Sequence, residues 1–277
     1  MSGNIKIIEC PRDAMQGITK FIPTDKKIQY INQLLKVGFD TIDFGSFVSP
    51  KAIPQLRDTA KVLSALDLDD TSTNLLAIVA NIRGAIQACA YEEIGYLGFP
   101  LSVAEQFQKR NTNKSISEAI IDIEKIQNLL AIGNKKMVVY LSMAFGNPYG
   151  EKYHPDIIAE LVFRLNNIGV EIVALSDTTG VSRVKDIAYL FNLLINEYSN
   201  LEFGAHFHTK IDKWQEKIAA AYQNGCIRFD SALRGYGGCP MAADDLVGNM
   251  PTEKIVDFFS DEIELETSQL HKALELS

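Results

Sequence analysis

The chain is short of cysteine, long apolar runs and positive charge, and each shortage removes a class of function. Only four cysteines, Cys10, Cys89, Cys226 and Cys239, occur in 277 residues, and no two form a CxxC pair. Their spacing gives no disulfide framework. No apolar stretch approaches the ~20 residues needed to cross a bilayer, so no membrane association is expected. The opening Met-Ser-Gly-Asn-Ile-Lys lacks the apolar run of a signal peptide and the Arg-rich character of a transit peptide. The expectation is a reduced, cytoplasmic protein. Lys and Arg number 27 against 35 Asp and Glu, a net charge of -8. General nucleic-acid binding, which needs a basic face, is therefore not expected. An anionic small molecule would still be accommodated by a local basic pocket. Also missing are a Gly-rich phosphate turn near the start, a Pro/Gly/Ser-rich linker and any repeat beyond a strand–helix period.

What is present is a regular alternation of short apolar runs and amphipathic stretches. The runs predict strands at 6–9, 41–44, 74–79, 93–97, 136–141, 171–176, 202–208 and 226–231. Helical spacing falls at 25–37, 51–64, 115–132, 154–167, 184–198 and 213–224. Gly38, Gly133, Gly169 and Gly225 follow helices, where a C-terminal cap favours a positive φ. Strand starts recur every ~30 to 40 residues, the length of a βα unit. Eight such units predict an α/β fold, a (β/α)8 TIM barrel spanning 1–277 as a single domain. The tail at 261–277 reads as one extra C-terminal helix. A doubly wound sheet would show GxGxxG after its first strand, where this chain has Cys10-Pro11-Arg12-Asp13.

A barrel of this kind carries its chemistry at the C-terminal ends of its strands. Polar residues gather there: Arg12, Asp13 and Gln16; Asp43 and Ser46; Asn147; Ser176 and Asp177; His206 and His208; the run 235–239; and Gly248-Asn249. His206 and His208, two apart on a strand, share a face, with Phe207 on the other. Such a pair can hold a divalent metal. Taken singly, each residue has a plainer reading: Asp177 as a helix cap, the histidines as structural, the glycines as a turn. Their coincidence at one rim favours function.

At these residues the chain resembles 3-hydroxy-3-methylglutaryl-CoA lyase, a member of the DRE-TIM metallolyases. The resemblance is carried by Cys10-Pro11-Arg12-Asp13-Ala14-Met15-Gln16, Ser46-Phe47-Val48-Ser49-Pro50-Lys51, Asp177-Thr178-Thr179-Gly180-Val181, His206-Phe207-His208, Gly237-Gly238-Cys239-Pro240 and Gly248-Asn249. It implies that Asp13, His206, His208 and Asn249 hold a divalent metal ion. Mg2+ or Mn2+ suits such ligands better than Zn2+. It implies Arg12, Asp43, Asp177, His206 and Cys239 as catalytic groups. Arg12 would stabilise an enolate oxygen and Cys239 would protonate the enolate carbon. Gln16, Ser46, Asn147 and Arg234 are expected to bind substrate. The implied substrate is an acyl-CoA, cleaved to acetyl-CoA and acetoacetate, and the implied assembly is a homodimer.

The match departs from the lyase pattern at Thr209-Lys210-Ile211-Asp212, Met241 and Arg234, and at Asp43, one methylene shorter than the family glutamate. Asp244 and Asp245 add charge inside the stretch after Cys239. These changes surround the substrate, not the metal. Two alternatives stay open: a related aldolase, retro-Claisen lyase or condensing enzyme on another hydroxy acid or acyl-CoA, and an inactive barrel serving as a binding subunit.

Overall fold

The structure, a computed structural model, describes residues 4–238 and 247–277. Eight parallel strands close into a barrel: β1 (Lys6–Glu9), β2 (Thr41–Ser46), β3 (Asn74–Ile78), β4 (Ile94–Ser102), β5 (Lys136–Ser142), β6 (Ile172–Asp177), β7 (Glu202–Thr209) and β8 (Arg228–Ser231). Each pairs with its sequence neighbour, and β8 pairs with β1 to complete the ring. A two-residue strand, β9 (Gly248–Asn249), runs antiparallel to the end of β7. This is the TIM barrel expected from the strand count.

The helices are α1 (Pro11–Gln16), α2 (Thr24–Leu35), α3 (Thr59–Leu63), α4 (Ile82–Cys89), α5 (Glu105–Thr112), α6 (Ile116–Leu130), α7 (Pro155–Ile168), α8 (Val184–Glu197), α9 (Trp214–Gln223), α10 (Thr252–Phe258) and α11 (Thr267–Leu276). The expected helix at 51–64 is broken into a 3-10 turn, Pro54–Leu56, and α3. Pro54 lacks the N–H that a continuous helix would use there. The tail forms α11 over the second half of the expected span, and Gln33 of α2 donates to Gln269. Gly38, Gly169 and Gly225 take positive φ at helix ends. Gly133 does not, because α6 ends through Ala131 in the right-handed region.

Strand alternation sorts the side chains. Leu76, Ile78, Val138, Tyr140, Ile172 and Ala174 form a small cluster inside the barrel. Their neighbours Leu75, Ala77, Val139, Leu141, Val173 and Leu175 join the larger core between barrel and helices. Period-two alternation thus puts even-numbered residues of β3, β5 and β6 inside and odd-numbered ones outside.

Candidate active site

Parity and strand register together decide which side chains meet at the barrel mouth. His206 lies opposite Ser176 on β6 and Asp230 on β8. His206 and His208 face in, while Phe207 packs outward against Phe145 and Phe191. The short α1 turns Arg12 and Asp13 back over the mouth, and both are buried. A cavity of about 320 Å³ opens there. One side carries Arg12, Asp13, Gln16, His206 and His208; the other is an apolar wall that includes Val48, Ile53, Ile78, Pro100, Phe107 and Tyr140.

Arg12 organises the polar side. Its Nε and Nη2 donate to Asp43 Oδ2 at 2.9 and 2.5 Å, and its Nη1 donates to Asp13 Oδ1 and Gln16 Oε1, both at 3.0 Å. Gln16 Nε2 also donates to Asp13 Oδ1 at 2.6 Å. One guanidinium cannot hold two buried carboxylates equally. Burial pushes Asp13 up, but Arg12, the two histidines and the Asn249 amide outweigh it and leave the group at about 2. Burial also pushes Asp43 up, and there it wins over Arg12, leaving the group at about 6. The second oxygen of Asp43, Oδ1, is buried without a partner.

The histidines are differentiated in the same way. His206 Nδ1 lies 3.0 Å from Asp230 Oδ2. Burial opposes its protonation, but the Asp230 hydrogen bond and charge prevail and raise it. This bond holds the ring and leaves Nε2 for the mouth, as ligating histidines are usually held. Burial and the neighbouring His206 lower His208 to about 4, so it is neutral and able to donate a lone pair.

The donor atoms of Asp13, His206 and His208 lie within 4.8 Å of one another. Asn249 joins them through β9, where it pairs with His208. Its Nδ2 donates to Asp13 Oδ2 at 2.7 Å and to Tyr236 O at 2.9 Å. That commits the nitrogen and leaves Oδ1, the atom a cation takes. Gly237 makes the approach possible: at φ +98° it lies so close that a Cβ would sit 2.7 Å from Asn249 Nδ2. Two imidazoles, one carboxylate and one amide oxygen form a mixed N/O set without a thiolate, and this fits a divalent cation such as Mg2+ or Mn2+.

Four described residues expected at the site, Asp177, Ser46, Asn147 and Arg234, do not line this cavity. Asp177 lies opposite Phe207 on the outward face of β6. Its oxygens accept from Val181 N, Ser182 N and the Ser182 hydroxyl, and from Lys217 Nζ at 2.7 Å. Here it braces a turn, because its parity is opposite to that of the histidines. Ser46 is tied to Ile78 O and Val48 N and lines a neighbouring cavity. Asn147 caps its own loop through Tyr149 N, Glu151 N and Glu151 O. Arg234, in the 3-10 turn after β8, reaches the end of α11, donating to Ser277 Oγ and Leu274 O. Cys239, like Met241, Asp244 and Asp245, lies outside the described residues. Conversely, sequence reading missed Asp230, although Arg228-Phe229-Asp230 shows the same alternation that singled out the histidines.

A closed parallel barrel with an Asp–His–His cluster and an arginine at its C-terminal mouth has the layout of a metal-dependent barrel enzyme. Within that class, residues 4–276 match the HMGL-like family model, and the chain belongs to this lyase family, whose members use a divalent metal. It is 32% identical to the cytoplasmic 3-hydroxy-3-methylglutaryl-CoA lyase of Rattus norvegicus, over 98% of this chain and 78% of that protein. It is 31% identical to a hydroxymethylglutaryl-CoA lyase of Bacillus subtilis, over 95% of this chain and 87% of that one. An HMG-CoA lyase from Acinetobacter baumannii, solved with coenzyme A and 3-methylmalate, superposes with a TM-score of 0.91 at 29% identity, over 98% of this chain and 89% of that one. No described helix is long and apolar enough to cross a membrane.

Proposed function

We propose that this enzyme cleaves a carbon–carbon bond in 3-hydroxy-3-methylglutaryl-CoA or a close 3-hydroxyacyl thioester, releasing acetyl-CoA and a keto acid. The observation that carries the reading is the convergence of Asp13, His206, His208 and Asn249 beside Arg12 at one cavity. These four residues would hold Mg2+ or Mn2+. When bound, the cation supplies Lewis-acid polarisation of the substrate's hydroxyl and orients its oxygen atoms.

The remaining steps fall to the chain. Arg12 stays charged throughout and can donate to the oxyanion of the leaving enolate. To do so it exchanges one of its carboxylate partners for substrate, and Asp43, raised to about 6, is the partner less firmly ionised. The apolar wall of Ile78, Pro100 and Phe107 excludes water from that charge. Cys239 is assigned the protonation of the enolate carbon by its resemblance to the family cysteine. Asp177, with its oxygens taken by the 181–182 turn and Lys217, is assigned a supporting role rather than a chemical one. The net charge of -8 and the carboxylates at the mouth do not oppose an acyl-CoA, because the divalent cation these ligands would hold adds positive charge beside Arg12 where the substrate's oxygens bind. Free Cys10, Cys89 and Cys226 are consistent with a reducing cytoplasm. A homodimer is the assembly we expect.

The test is direct. With Mg2+ or Mn2+, purified protein should release acetyl-CoA and acetoacetate from 3-hydroxy-3-methylglutaryl-CoA, and Cys239→Ser should slow turnover while still binding metal. Cleavage of free hydroxy acids without cleavage of the thioester would move the assignment to a related aldolase.

A further inference from the structure

We propose that Lys217 is a positioning residue for the cation site, fixing the His208 end of β7 from below; this rests on the metal reading above. Lys217 projects from α9 and its side chain is 5% exposed. Its Nζ meets Asp177 Oδ2 at 2.7 Å, Gly180 O at 3.0 Å and His208 O at 3.4 Å. An ammonium has three N–H donors, so all three are used. The three acceptors belong to two segments, the turn after β6 and the end of β7.

A third segment is drawn in at the same point. Gly180, at φ +72°, lies where a Cβ would be 3.0 Å from Val247 Cγ1 and 3.3 Å from His208 O. Val247 leads directly into β9, and β9 pairs Asn249 with His208. The ammonium thus joins the turn that carries Asp177 to the strand that carries His208, beside the strand that carries Asn249. The junction touches the backbone of one proposed metal ligand, His208, which in turn pairs with a second, Asn249.

A buried ion pair is a poor device for stability alone. Desolvating both charges offsets most of their attraction, and apolar replacements are often neutral or better. What Lys217 adds is geometric: one donor group holds backbone carbonyls of two segments in fixed relation. Asp177 is the counter-charge that keeps the ammonium buried, and so it acts on the site through Lys217.

Mn2+ binding followed by electron paramagnetic resonance of the free ion tests this without turnover. The proteins are the wild type, Lys217→Met, and the double variant Asp177→Asn/Lys217→Met, each with its Tm. Lys217→Met strands the Asp177 charge and should lose both stability and metal affinity. The double variant strands no charge and should regain most of the Tm, yet bind Mn2+ roughly 10- to 100-fold more weakly than wild type, the usual cost of losing support behind a ligand. Wild-type affinity in the folded double variant would overturn the proposal. A wild type with no stoichiometric Mn2+ site would instead overturn the metal reading, and the proposal with it.

Discussion

The two ends of the barrel use charge in opposite ways. At the floor the cations predominate: Lys6 and the fully buried Arg228 share Glu202, the latter at 3.3 Å, Lys136 pairs with Glu171, and Arg228 Nε and Nη2 are buried without a partner. At the mouth, Asp13, Asp43 and Asp230 share one guanidinium and one imidazole that can charge, while His208 is held neutral. The surplus is negative, and buried oxygens of Asp43 and Asp230 lack partners. A buried polar atom without a protein partner is a place where a water, an ion or a ligand can complete the network. The unpartnered atoms are guanidinium nitrogens at the floor and carboxylate oxygens at the mouth, and it is the mouth that carries the ligand set proposed for a cation.

Substitutions at each end can break or sharpen that contrast. Asp13→Ala removes the carboxylate of the metal set, so Mn2+ titration calorimetry should show no stoichiometric site; an unchanged isotherm would refute its role. Arg12→Gln should leave Mn2+ binding in place but lower kcat by roughly 10²- to 10³-fold, equivalent to about 3 to 4 kcal/mol. If kcat survives, the enolate is stabilised elsewhere.

Glu9 extends the comparison to a carboxylate on the outer wall. It has no cationic partner among the described residues, and burial raises it to about 8 against the pull of Thr252 and Leu233 N. Thr252 Oγ1 bridges Glu9 and the Ser231 hydroxyl, a contact compatible with either charge state of Glu9 because each hydroxyl can donate or accept. With Glu9 so raised, folded protein binds one more proton than unfolded protein between about pH 4.5 and 8. Its stability should fall as pH rises across that window and level off above it, by on the order of a few kcal/mol. Glu9→Gln should flatten this part of the urea-stability profile; a profile of unchanged slope would show that Glu9 is ionised in the fold. The smallest effect belongs to the floor. Glu171→Gln breaks a half-exposed pair with Lys136 and should cost less than about 1 kcal/mol with no change in Mn2+ affinity.

Strand positions were legible because a buried parallel strand is a short apolar run whatever its neighbours are. Seven of the expected strands begin within one residue of the observed ones, and the eighth begins at Arg228 instead of Cys226. The helices left unread have local reasons. The short α1 holds Arg12 through Asp13, Gln16 and Asp43 rather than through an apolar face. Within α4, Gly84 sits where a Cβ would meet Phe47 O at 2.7 Å, so its glycine answers to a neighbour far along the chain. For Asp177 the position on the strand is itself a signal. The alternation that turns His206 and His208 inward also turns Ser176 in and Asp177 out once β6 and β7 are in register.

Sequence alone determined the class of barrel, the metal-ligand candidates and the arginine beside them, because these depend on residue type, spacing and order along the chain. Tertiary structure alone decided which partner each carboxylate meets. Asp230 reaches His206 only through the β7–β8 register, Asn249 reaches Asp13 only through β9, and Asp177 is claimed by Lys217 of a following helix. Hydrogen bonding and charge pairing act over a few ångströms, and residues 24, 40 and 236 positions apart come within that range only when the barrel closes.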